Sequence, residues 1–132
     1  MKLARSTIFA ILLFCSAVAL AQKAAEIKRG SPDFKAIIQA IAPYASVHAA
    51  HPVRVAGNTM RREGDWAFVY SSLTPVNPKD KVDGKVMAVL RKGRRWTIRE
   101  IIVAGGSLDA TLADWVKKHK LPAELTKKPW SP

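Results

Sequence analysis

The sequence predicts an α+β fold: a four-stranded antiparallel sheet made of two hairpins, flanked by an N-terminal and a C-terminal helix. Three observations predict it. Two segments carry apolar residues at helical spacing, one before and one after the strands. Between them lie four short runs rich in aromatic and β-branched residues, joined in pairs by Gly-containing turns. Turns that short allow only antiparallel pairing, and both helices are expected to cover one face of the sheet.

Taken in order, residues 1–21 stand apart from the fold. Lys2 and Arg5 make a positive start, residues 8–18 an uncharged apolar core, and Ala19-Leu20-Ala21 the small-x-small pattern that a signal peptidase accepts. A secretory signal cleaved after Ala21 is therefore expected, with a periplasmic or secreted product. The apolar run is too short to span a bilayer, so no transmembrane segment is expected after cleavage. Cys15 follows Phe14, whereas lipid attachment needs a small residue there, so lipidation is rejected. The remaining chain has no thiol, which excludes a disulfide framework and a Cys-based structural zinc.

Residues 22–30 are polar and mixed, a flexible lead-in. Residues 31–126 form the α+β domain. Ser31 is the expected N-cap of the first helix, with Pro32 at its first position and Asp33 complementing the dipole. Phe34, Ile37, Ile38 and Ile41 make one apolar stripe, and Pro43 is expected to stop the helix. Strands are expected over 53–62, with Gly57 as a bulge, and over 66–73, 86–91 and 95–103. Residues 74–84 hold two Pro, an Asn and two Asp, and read as a loop. The second helix is expected over 108–120, capped by Ser107 or Asp109, with Lys117, Lys118 and Lys120 at its negative end. Residues 127–132 read as a tail, and Trp130 within it either docks on the body or meets a membrane surface.

The stretches Gly64-Asp65-Trp66-Ala67-Phe68-Val69, Asp83-Gly84-Lys85-Val86-Met87-Ala88-Val89-Leu90-Arg91 and Gly93-Arg94-Arg95-Trp96-Thr97-Ile98 resemble small exported bacterial proteins with cystatin-like or NTF2-like α+β domains. The resemblance covers about half of the chain after the signal. It implies a curved sheet wrapped around a helix, often with a concave pocket, in proteins that are mostly binding modules or of no known activity. The Asp/His pairs of the enzymatic members have no counterpart here, so no activity carries over.

Charge is the most informative feature. The chain has 22 Lys+Arg against 10 Asp+Glu, and losing the signal removes Lys2 and Arg5 but no acid, leaving a net +10. Anionic surfaces attract such a protein, less so as salt rises. Arg91, Lys92, Arg94, Arg95 and Arg99 crowd one turn, while Arg61 and Arg62 flank the other. Alternating strand direction puts both turns at one end, with Trp66 and Trp96 beside them. An anion-binding rim is expected there from Arg61, Arg62, Arg91, Lys92, Arg94, Arg95, Trp66 and Trp96, because Arg beside Trp both stacks and pairs with carboxylate or phosphate. An anionic envelope polymer or an acidic protein is the expected partner; nucleic acid is disfavoured, since an exported protein rarely meets it.

No catalytic set and no cofactor is expected. His48 and His51 have the spacing of a metal half-site on a helix, but Pro52 disfavours helix at His51 and no third ligand stands near, so two loop histidines is the favoured reading. His119 is five residues from Asp114, off the neighbouring helical positions, and is better explained by the helix dipole than as an acid/base partner of Asp114 or Asp109. Ser71, Ser72 and Ser107 lie in no nucleophile pattern. Gly105-Gly106-Ser107 before a helix is a possible anion cradle but more often a flexible corner. A small pocket enzyme using a His base is the rival reading.

Overall fold

Ser31, Pro32 and Asp33 open the first helix in the manner their side chains favour. In a computed structural model that describes residues 24–82 and 84–131, Ser31 is extended and its Oγ accepts the Phe34 N–H at 3.2 Å. A cap of this kind is worth about 1 kcal/mol. The expected secretory signal and its cleavage site lie outside the described residues. Helix α1 spans Pro32–Ala49, so Pro43 does not stop it. Burial overrides the local preference: Ile41 before the proline and Ala45 after it are both fully buried against the sheet. Pro43 itself faces solvent, where water can serve the carbonyl that the ring leaves without a donor. Ala50 in the left-handed conformation ends the helix, its N–H donating to the Val47 carbonyl.

The strands are β1 (Ala25–Glu26), β2 (Val53–Val55), β3 (Thr59–Glu63), β4 (Trp66–Pro75), β5 (Lys85–Lys92) and β6 (Trp96–Ala104). They form an open antiparallel sheet in the order β1-β3-β4-β5-β6, with β2 paired to the far part of β4. The expected four-stranded sheet is thus corrected to six strands, for two reasons. Gly57 takes φ +75°, and the run expected as one strand splits there into β2 and β3, which pair with successive stretches of β4. The segment expected as a flexible lead-in supplies β1, which covers the outer edge of β3: Ala25 pairs with Arg62, and the Ile27 N–H donates to the Met60 carbonyl.

Helix α2 spans Asp109–His119. The expectation that both helices cover one face is also corrected, because they lie on opposite faces. Ala67, Val69 and Leu73 of β4 and Val86, Ala88 and Leu90 of β5 join Ile37 and Ile41 of α1 in one core. Phe68 of β4 and Met87 and Val89 of β5 join Leu112 and Trp115 of α2 in another. Residues 86–90 are all buried. An unbroken apolar run is what a strand needs when both of its faces are covered. In β6 a bulge at the Val89/Leu90 register shift adds one residue, so that Ile98 and Ile101 both reach the α1 side.

The C-terminal segment completes the second core. Leu121 and Leu125 are buried there, and Trp130 packs on Phe68 and Tyr70 at ring distances of 5.7 and 5.2 Å. Arg61 fastens this segment by donating to the carbonyls of Lys127 and Pro129. The Ser131 N–H donates to Thr59 Oγ1 at 2.7 Å. Residues 126–131 are thus a strap across the sheet, and Trp130 docks on the body.

Candidate functional site

The two Gly turns share one end of the sheet. Trp66 pairs with Arg91, Lys92 pairs with Trp96, and the Lys92 N–H donates to the Asp65 carbonyl at 2.7 Å. All eight rim residues therefore come to one region. The pleat then divides them between the two faces, and this division decides which charges remain free.

On the α1 face, Arg62, Lys92 and Trp96 converge on Asp33 in the first turn of the helix. Arg62 Nη1 donates to Oδ2 at 2.7 Å; Lys92 Nζ and Trp96 Nε1 donate to Oδ1 at 3.1 and 3.0 Å. Both cations also lie over the Trp96 ring, the guanidinium carbon at 5.2 Å and the ammonium at 5.6 Å. The Trp96 indole N–H, followed by Lys92 and Arg62, holds the Asp33 carboxyl below the usual carboxylate range against the opposing effect of burial. Three of the expected anion-binding residues thus already serve an anion belonging to the protein itself. Asp33, read from the sequence only as a dipole partner, is the residue that sequence reasoning missed.

On the α2 face, the Arg91 guanidinium lies 5.0 Å over the Trp66 ring, and the Trp66 ring is 5.7 Å from that of His119. His119 Nε2 lies 3.0 Å from Glu100 Oε1, and Lys118 Nζ donates to the same oxygen at 2.7 Å. The hydrogen bonds from Lys118 and His119 hold the Glu100 carboxyl low. Neither Asp109 nor Asp114 is the partner of His119; Asp109 pairs with Lys128. Arg61 is occupied by the strap. Arg94 and Arg95 stand exposed in the β5–β6 turn, which the Gly93 N–H closes onto the Arg95 carbonyl. Among the described residues, no carboxylate pairs with Arg91, Arg94, Arg95 or Arg99.

The histidine pair does not form a half-site. The reading of two loop histidines is corrected for one of them: His48 lies in the last turn of α1, because the helix runs on past Pro43. The left-handed Ala50 turns the chain away, and His51 Nδ1 faces Asp80 at 3.5 Å. Among the described residues, no three metal-ligating side chains cluster. Ser71 is buried and structural: its Oγ accepts the Gly57 N–H at 2.7 Å and bonds with Asn58. Ser107 borders a surface cleft beside the start of α2. Five surface clefts formed by the described residues have no histidine in their lining. Among the described residues no helix is long and apolar enough to cross a membrane.

Fold and site together define an α+β protein whose open antiparallel sheet lies between two helices and ends in an arginine-bearing hairpin. Set against protein-family models, curated proteins and solved structures, the chain matches none.

Proposed function

We propose that the protein is an exported, non-catalytic binding module of the bacterial cell envelope, and that it docks on an anionic polymer through the β5–β6 hairpin. The observation that carries this reading is the contrast between the two faces at the hairpin end. Asp33 neutralises part of the charge and fixes the turn in place, while Arg91, Arg94, Arg95 and Arg99 stay exposed without a carboxylate. The hairpin fixes where the arginine backbones stand, so mainly their side chains are ordered on binding, and planar guanidinium groups suit repeated carboxylates or phosphates. Spread over a convex turn, they fit a chain of charges better than a single small anion. The resemblance to cystatin-like or NTF2-like exported proteins belongs to the same proposal. The long sheet against α1 supports it, and α2 on the other face is an addition to that plan.

Binding to immobilised lipopolysaccharide and to peptidoglycan, at rising salt, tests the reading. The Arg94→Gln/Arg95→Gln pair is expected to lower affinity about tenfold at low salt and to flatten the salt dependence. Retention of the unaltered protein on neither polymer, with capture by an acidic protein instead, would replace the polymer with a protein partner. A second reading, a small pocket enzyme with a His base, draws on the His119–Glu100 contact. Against it, Lys118 occupies the same carboxylate oxygen. Hydrolase or isomerase turnover abolished by His119→Ala, in a variant that still folds, would favour the enzyme.

A further inference from the structure

A second site lies away from the hairpin arginines, on the α2 face. Tyr70 and Lys85 of the sheet, Ser107 and Asp109 at the start of α2, and Lys128 and Trp130 of the strap border a cleft of about 450 Å³. Tyr70 is four residues along β4 from Trp66, roughly 13 Å from the rim. The volume suits one or two sugar rings and falls in the range of small-ligand sites.

The cleft joins an aromatic corner to a cation. The rings of Tyr70 and Trp130 are 5.2 Å apart and tilted by 58°. Two rings at that angle form a corner rather than a slot. A flat base can stack on only one of them, whereas a thick, puckered pyranose ring rests its C–H faces against both. Lys85 Nζ stands 5.6 Å over the Tyr70 ring, so its charge is held at this corner. On the strap, Lys128 lies 5.1 Å over the Trp130 ring and pairs with Asp109 at 3.0 Å. That second lysine is already neutralised, and the Asp109 carboxylate accepts hydrogen bonds from hydroxyls while repelling a ligand with several negative charges. Ser107 adds a hydroxyl to the border.

We propose that this cleft binds a pyranose carrying one carboxylate, a hexuronate. The sugar ring lies in the Tyr70–Trp130 corner, its carboxylate meets Lys85, and its hydroxyls meet Asp109 and Ser107. The site uses none of the hairpin arginines, so it stands or falls separately from the polymer-binding surface.

The test is a titration of the protein with D-glucuronate, with glucose as the uncharged match, followed on the tryptophan indole N–H resonances by NMR. The Trp130 indole N–H, which donates to the Thr126 carbonyl at 2.9 Å, gives the readout, and Trp130→Phe assigns it by loss of one signal. A saturable shift with glucuronate is expected in the millimolar range, at least about fivefold weaker with glucose. Lys85→Gln is expected to bring glucuronate down to the glucose level while the Arg94→Gln/Arg95→Gln pair leaves it unchanged. The proposal is overturned by no saturable shift up to roughly 50 mM glucuronate, by an equal response to glucose or to acetate, or by a response that Lys85→Gln leaves intact. A response abolished by the arginine pair would move the sugar to the hairpin and overturn the cleft assignment alone.

Discussion

Gly57→Ala is expected to destabilise the protein by about 3 kcal/mol, combining a left-handed backbone cost of about 1 kcal/mol with an overpacking cost of about 2. Gly57 sits at φ +75°, and a Cβ there would stand 2.7 and 2.9 Å from two atoms of the Phe34 ring. Moving the ring away would disturb its contacts. Phe34 packs against the α1-side core, and the Arg29 guanidinium covers it at 5.3 Å while donating to the Ala56 carbonyl. The Gly57 N–H is also committed, to the buried Ser71 hydroxyl. Chemical denaturation measures the loss, and Gly64→Ala supplies the comparison. Gly64 has φ +58° with open space where the methyl would go, so only the backbone cost of about 1 kcal/mol applies there. Equal losses at the two positions would show that the Phe34 contact contributes nothing.

Asp33→Ala is expected to cost about 2 kcal/mol, since it strands the indole N–H of the buried Trp96 and leaves Arg62 and Lys92 without their anion. The figure is kept low because the three charged side chains are about one-third exposed. A midpoint of thermal unfolding lower by on the order of 10 °C would register it. The pH dependence has a fixed sign. The folded carboxyl titrates below its unfolded counterpart, so its contribution is complete above the unfolded value and is lost as pH falls through the folded one. The stability gap between the unaltered protein and Asp33→Ala is therefore expected to be flat at neutral pH and to narrow below about pH 4. A gap that stays constant down to pH 2 would show that the charge is not what Asp33 contributes. Glu100, also held low, follows the same sign, and Glu100→Gln separates its share.

What the sequence made legible was local. Ser31-Pro32-Asp33 announces a helix start, and the Gly64 and Gly93 turns two hairpins ending together; Gly57 reads only as a bulge, whereas the strand splits there. The errors came where distant burial decides. Pro43 is a helix breaker by itself but is tolerated when Ile37, Ile41 and Ala45 anchor both sides of it. The run 86–90 carries the sign of a strand covered on both faces, but hairpin pairing alone reads it as an ordinary strand and puts both helices on one side. Residues 22–30 have no strand pattern because β1 is two residues long and is held by the edge of β3, not by its own composition. At the site, the arginine count was plain but its allocation was not. Asp33 lies 59 residues from Lys92 and 63 from Trp96 in sequence, and no spacing rule reaches that far.

Strand β3 takes partners from both directions along the chain. Ala25 and Glu26 line its edge, while Ser131 bonds to Thr59 across 72 residues. A polypeptide emerging from the ribosome cannot make that second set of contacts until residue 131 has been synthesised. Strand β3 therefore gains its full set of partners only after the strap has been made.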